Sequence, residues 1–495
     1  MTIYIKGHDF HYEMENLCRV FFPNEKLTVT RELTGMQSDP SYVFLERQQT
    51  SDGNYIIRVH VLAQGEEDFA SETIAGDGEE AEQQCERRMA VLLYRILTKL
   101  TGIVPSWGIL TGVRPIKLLR RLVETEGGEA QASRYFTDQL LVTPGKTQLA
   151  LQTMHEEQRL FALSRPESFS LYVSIPFCPT RCAYCSFVSQ TVERAAKLIP
   201  DYVDLLCQEL EQTAAIASAL SLRLETIYFG GGTPTTLTAQ QLARLIEQVR
   251  KCFDLTHCRE FTVEAGRPDT ITVEKLQALK DGGVDRISIN PQTLNDDVLA
   301  AIGRRHSAAQ VLQAYDLARQ MGVDNINMDL IAGLPQDTAE SFQATLDQVV
   351  GLAPESITVH TLAMKRSAQY TLQGMRLYKE ACETAQAMLD YSDTLLPKHE
   401  YSPYYLYRQS RMVGNLENVG WSKPGKEGLY NVYAMDETHS VLACGAGAVT
   451  KLRDPHSSYL ERVFNFKYPY EYISRFDEML QRKEKIPAFY EVYRP

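Results

Sequence analysis

Hydrophobic and polar positions divide the chain into three textures. From about residue 170 to residue 361, short apolar or β-branched runs alternate with amphipathic stretches. Residues 171–176, 225–229, 260–264, 286–290, 325–331 and 356–361 read as strands, and 202–220, 239–252, 311–321 and 341–350 as helices between them. Six strand-then-helix repeats in about 190 residues imply a parallel sheet with right-handed crossovers. That length is too short for a closed eight-stranded barrel and fits a partial, TIM-like (β/α)6 barrel within the α/β class. Upstream, residues 42–48 and 55–63 are β-rich around Ser51-Asp52-Gly53-Asn54, which predicts a hairpin. Met89, Leu92, Leu93, Ile96, Leu97 and Leu100 mark one face of a helix, and the acidic run 66–86 before it reads as solvated surface. Residues 107–117, WGILTGVRPIK, read first as a packed corner between helices, with a docking loop as the alternative. Past residue 366 the alternation is lost in Tyr- and Gly-rich loops such as 401–405 and 443–448. The expected domains are an α+β N-terminal domain (1–165), the barrel (166–366) and a C-terminal cap (367–495).

Composition narrows the class. With 495 residues, 44% hydrophobic and 23% charged, the chain can bury the cores of about three units, which excludes a disordered polymer or a disulfide-stapled scaffold. A net charge of −12 argues against non-specific affinity for a phosphate backbone. The acidic run speaks against a nucleic-acid role for the first domain. The start lacks a basic segment followed by an apolar core, and the most apolar helical stretch is interrupted by Arg95 and Lys99. A cytoplasmic protein with no membrane span is the expectation.

Three of the ten cysteines fall within eight residues, in Cys178-Pro179-Thr180-Arg181-Cys182-Ala183-Tyr184-Cys185, directly after the first predicted strand. Clustered thiols in such a chain read as ligands in a reducing compartment. Three thiolates on one loop can hold three corners of a cubane iron–sulfur cluster and leave the fourth iron open. The alternatives are three unliganded cysteines, or a zinc site completed from afar by a residue such as Cys207. A glycine-rich turn, Tyr228-Phe229-Gly230-Gly231-Gly232-Thr233-Pro234-Thr235, ends the second predicted strand, where missing Cβ atoms would let backbone amides approach a ligand. Glu264, Gln292, Arg304 and Asp329 follow at or just beyond the ends of later strands.

The cysteine spacing resembles that of the radical S-adenosylmethionine (SAM) superfamily. What the resemblance implies is a [4Fe–4S] cluster held by Cys178, Cys182 and Cys185, with SAM on the open iron, cleaved to a 5′-deoxyadenosyl radical. Residues 171–178, the GGGTPT turn, Thr262-Val263-Glu264-Ala265, Gln292 with Arg304, and residues 327–335 resemble the oxygen-independent coproporphyrinogen III oxidase family, and the long N-terminal domain resembles its HemZ-type coproporphyrinogen dehydrogenase branch. Carried onto this chain, the SAM contacts are Tyr172, Tyr184, Gly231, Gly232, Thr233, Glu264, Gln292, Arg304, Asp329 and Ala363, some of them toward a second SAM in members that bind two. A cation, acceptors and hydroxyl partners in this set suit a zwitterionic amino acid joined to a ribose. The implied activity is oxidative decarboxylation of two propionates of coproporphyrinogen III to vinyl groups, giving protoporphyrinogen IX, in a monomer served by a flavodoxin or ferredoxin. Arg305, Lys365, Arg366 and Arg408 are candidate cations for the tetrapyrrole carboxylates. The family's fourth cysteine is Phe187 here, a form shared with the HemW-type haem chaperones. Those carry His-Asn-x-x-Tyr-Trp where this chain has Tyr430-Asn431-Val432-Tyr433-Ala434-Met435. A haem-binding chaperone, or a radical enzyme for another substrate, is the alternative.

Overall fold

The computed structural model describes residues 1–493 except 77, 188, 366, 367 and 373–375, in two compact units. Arg366 and the expected boundary at 366–367 therefore lie outside the described residues.

The first unit holds residues 1–154 with the later segments 374–386 and 406–417. Its sheet runs, in spatial order, Thr28–Thr30, Thr2–Lys6, Tyr42–Gln49, Tyr55–Ala63 and Glu66–Ile74. The predicted hairpin is present, with Tyr42 opposite Leu62 and Gln49 opposite Tyr55. The acidic run departs from expectation in its first half, which forms the fifth strand, antiparallel to the fourth. Alternation explains this: Glu72 and Asp68 face the long helix Gly78–Thr101 and pair with Arg88 (2.8 Å) and Lys99 (2.9 Å). That helix lays Met89, Leu93 and Leu97 on a core with Val43, Leu45, Val59 and Val61. Trp107 is buried in a packed corner, donating from Nε1 to Glu417 Oε2 at 2.6 Å, while Lys146 pairs with Glu417 Oε1 at 2.5 Å. Arg408, expected at the barrel mouth, belongs to this unit. It lies 5.4 Å from the Trp107 ring, and its Nη1 and Nη2 donate to the carbonyls of Leu110 and Asn415, each at 2.8 Å, so both terminal nitrogens are engaged by the chain's own backbone.

The second unit, residues 155–373, 387–405 and 418–495, contains the barrel. Ser168–Ile175, Arg223–Gly231, Glu260–Glu264, Arg286–Ser288, Ile326–Ala332 and Ser356–Thr361 pair in chain order, all parallel. The crossover helices include Ile199–Ala219, Ala239–Cys252, Ala308–Gln320 and Ala339–Leu352. Capping boxes at Thr238/Gln241 and Ser307/Gln310 start two of them by satisfying first-turn amides. The six expected strands are extended at both edges. Asn418–Ser422 adds antiparallel to the sixth strand, and Ser440–Cys444 adds parallel to the first. The glycine-rich segment 443–448 is therefore no simple loop: Ala443 and Cys444 are in a strand, and the chain turns at Gly445 (φ +96°). A Cβ at Gly445 would lie 2.5 Å from the Ser174 carbonyl, a close approach that only glycine permits. Among the described residues, no helix is long and apolar enough to cross a membrane.

Candidate active site

The cysteine loop leaves the first barrel strand at its carboxyl end, where parallel barrels place their chemistry. Cys178, Cys182 and Cys185 are all free and partly exposed. The second strand's turn is fastened beneath them: Gly232 donates to the Ile175 carbonyl (2.8 Å), Thr233 donates from its amide to Phe177 (2.7 Å), and Thr233 Oγ1 reaches Cys178 Sγ at 3.6 Å. Gly231 has φ +104°, and a Cβ at Gly232 would stand 2.6 Å from the Phe177 carbonyl. These glycines let two segments of this chain touch, a use distinct from clearing space for a ligand. On the other side, Ala183 donates to the Ile302 carbonyl (3.0 Å) and Thr180 to that of Gly303 (3.2 Å).

Among the described residues, no three His, Cys, Asp or Glu side chains converge as they would around one metal ion. Cys207 is buried on the helix Ile199–Ala219, its carbonyl and Cys252 Sγ both facing Gln248 Nε2. Cys207 thus packs against the crossover helix Ala239–Cys252. Three thiols spread along one loop suit a cluster, whose irons occupy separate corners. Burial pushes the Cys185 thiol up to about 11 and raises Cys178 as well, so iron binding here must release protons.

The remaining candidates gather at the same edge. Tyr184 sits 3.4 Å from Arg304 Nη2, and Arg304 Nη1 reaches the carbonyls of Asn290 and Gly266. Gln292 adopts φ +68°, donates its amide to the Asp329 carbonyl (2.9 Å) and accepts from Ile331 (3.0 Å). Its side-chain Oε1 and Arg304 Nε are buried without a hydrogen-bond partner. Such orphaned groups fit a polar ligand that supplies their partners. Burial pushes Glu264 up to about 7, with Asp329 adding to the effect while Tyr228 and His360 oppose it. Asp329 is also buried, but His360 and Asn327 hold its carboxyl below the usual carboxylate range. Tyr172, Tyr228 and Tyr430 stack, with centroid distances of 6.3, 6.0 and 4.5 Å. Ala363 follows the sixth strand, half-buried, its carbonyl accepting from the Lys365 amide at 3.0 Å. Of the candidate cations, Arg305 is exposed and Lys365 half-buried.

Sequence reasoning missed three contributors. Arg267, buried, reaches Thr180 Oγ1 (3.0 Å) and Cys182 Sγ (4.0 Å). Its closeness to Glu264 at the end of one strand was the available signal. Tyr228 belongs in sequence to the glycine-rich turn, and Tyr430 comes from the distant helix Leu429–Asp436.

Residues 172–349 match the model of the Radical SAM superfamily. The fold agrees: the solved structure of coproporphyrinogen III oxidase (HemN) from Escherichia coli superposes with a TM-score of 0.52 at 24% identity, over 65% of this chain and 72% of that one. Barrel and site thus define a radical SAM protein, a class that uses a [4Fe–4S] cluster and SAM. The chain is also 35% identical, over 98% of its length and 97% of the relative's, to the oxygen-independent coproporphyrinogen-III oxidase-like protein HemZ of Bacillus subtilis, and it belongs to that family. Heme chaperone HemW of Bacillus subtilis is 31% identical over 61% of this chain and 77% of its own. The oxygen-independent coproporphyrinogen III oxidase of Bradyrhizobium diazoefficiens is 34% identical over 45% of this chain and 50% of its own.

Proposed function

We propose that the protein carries out oxygen-independent oxidative decarboxylation of two propionates of coproporphyrinogen III, yielding protoporphyrinogen IX. The observation that carries this reading is the meeting, at one barrel edge, of a three-thiol loop with the orphaned Gln292 Oε1 and Arg304 Nε, in a chain similar over its full length to an oxidase-like relative. Cys178, Cys182 and Cys185 would hold the cluster. Arg304 supplies a cation for a carboxylate, Glu264 and Asp329 accept from an ammonium or from ribose hydroxyls, and Tyr172, Tyr184, Gly231, Gly232, Thr233, Gln292 and Ala363 complete the SAM cradle. When bound, the cluster and SAM supply a 5′-deoxyadenosyl radical by one-electron cleavage, the hard chemistry that the protein itself need only orient. Arg305 and Lys365 offer cations for substrate carboxylates. A flavodoxin or ferredoxin would deliver the electron.

The test is anaerobic incubation of reconstituted, reduced protein with SAM and coproporphyrinogen III, followed by mass detection of 5′-deoxyadenosine and protoporphyrin. Cleavage of SAM without decarboxylation would point to another radical substrate. A second reading, a haem chaperone, draws support from the HemW similarity and from Phe187, 64% exposed on the cysteine loop. Haem binding without turnover in the same sample would favour it.

A further inference from the structure

We propose that Arg267 is a positioning residue for the cluster, a guanidinium clamped so that one N–H faces the sulfur of Cys182. The inference rests on Cys182 being a cluster ligand. Arg267 is only 3% exposed, although it sits one residue before a proline in a turn at the end of the third barrel strand. Its Nε and Nη2 face the carboxylate of Asp269 at 3.2 and 3.4 Å. That fork leaves Nη1 pointing the opposite way, where it meets Thr180 Oγ1 at 3.0 Å, the Thr180 carbonyl at 3.5 Å and Cys182 Sγ at 4.0 Å.

Two features set this apart from an ordinary buried ion pair. A guanidinium presents its donors in a rigid plane, so anchoring two of its nitrogens on Asp269 fixes where the third can point. Arg304 approaches the same loop through Tyr184, so two buried cations border one short stretch of thiols in a protein whose net charge is −12. A buried cluster gains negative charge on reduction, and hydrogen bonds to its sulfur ligands favour the reduced form. Arg267 should therefore raise the cluster's reduction potential and hold the Cys182 end of the loop.

The experiment uses the full-length protein, reconstituted anaerobically with iron and sulfide, and reads iron content and the midpoint potential of the cluster by redox titration with electron paramagnetic resonance. In Arg267→Met the reduction equilibrium should shift about tenfold toward the oxidised form, equivalent to about −59 mV for one electron. Arg267→Lys, which keeps the charge but loses the planar fork, should shift in the same direction by less, and it carries the test should the Met variant fail to fold. Full iron content with unchanged potentials in these variants would overturn the proposal. Absence of any cluster in the unmodified protein would overturn the cluster reading itself, a result distinct from a cluster that forms and ignores Arg267.

Discussion

Tyr228 donates its phenolic proton to Glu264 Oε1 at 2.6 Å while its ring lies on that of Tyr430, centroids 4.5 Å apart and 22° from parallel. The stack holds the phenol in place, so the donor reaches the carboxylate at a fixed position. Burial, foremost, and Asp329 lift Glu264 to about 7, and the Tyr228 hydrogen bond works against that lift. A ligand needing the carboxylate binds better above that value and worse below it. Tyr228→Phe removes the opposing bond, so the pH midpoint of SAM binding should move up by about one unit. Glu264→Gln should flatten the dependence between about pH 6 and 8. Equilibrium binding across a pH series checks both, and coincident midpoints for the Phe variant and the unmodified protein would count against the assigned role.

Glu417 is fully buried between Lys146 (2.5 Å) and the Trp107 indole N–H (2.6 Å). Glu417→Ala removes the carboxylate that faces both the Lys146 ammonium and the indole, and should destabilise the first unit by about 3–5 kcal/mol. Lys146→Met combined with Glu417→Leu should recover only part of that loss, because it removes both charges but leaves the buried Trp107 indole N–H without an acceptor. Urea denaturation of both variants measures the difference.

His439 is buried between Ser164 Oγ (2.8 Å to Nε2) and Ser170 Oγ (3.1 Å to Nδ1), its ring stacked on Tyr433 at 3.9 Å. Burial, reinforced by Arg259, Arg453 and Arg223, lowers it to about 3. The unfolded chain takes up a proton near pH 6.5 that the folded chain refuses until near pH 3, so stability falls as pH drops between those values. This group should account for about 2 kcal/mol lost between pH 7 and pH 5. His439→Gln should show a correspondingly shallower loss, and parallel stability curves for the two proteins would contradict the assignment.

Gly232→Ala places a methyl 2.6 Å from the Phe177 carbonyl, a backbone atom with no side-chain freedom to yield. The cysteine loop must shift, so iron uptake on reconstitution should fall several-fold while the circular dichroism of the barrel is retained. Gly53→Ala, at a hairpin tip with open space around the new Cβ, should leave iron uptake unchanged.

Much of the architecture was legible in the chain because it is written in local patterns. The alternation of apolar runs and amphipathic stretches reports which faces each segment must bury, and the structure has strands at 260–264 and 356–361 with the expected bounds. Ser51-Asp52-Gly53-Asn54 located the hairpin through turn chemistry alone. The cysteines were conspicuous because their spacing lies within eight residues.

Tertiary structure alone decided which distant segments fill the open edges and corners. Ser440–Cys444 pairs with a strand about 270 residues earlier, Tyr430 stacks over Tyr228, and Arg267 turns toward Cys182. Arg408 shows the converse: nothing near it in sequence told that both its terminal nitrogens would bind backbone carbonyls beside Trp107. Periodicity and turn chemistry describe how a segment meets its immediate surroundings. Edge pairing, stacking and the burial of a charge depend on what remains unsatisfied once all the segments have come together, and that is a property of the whole chain.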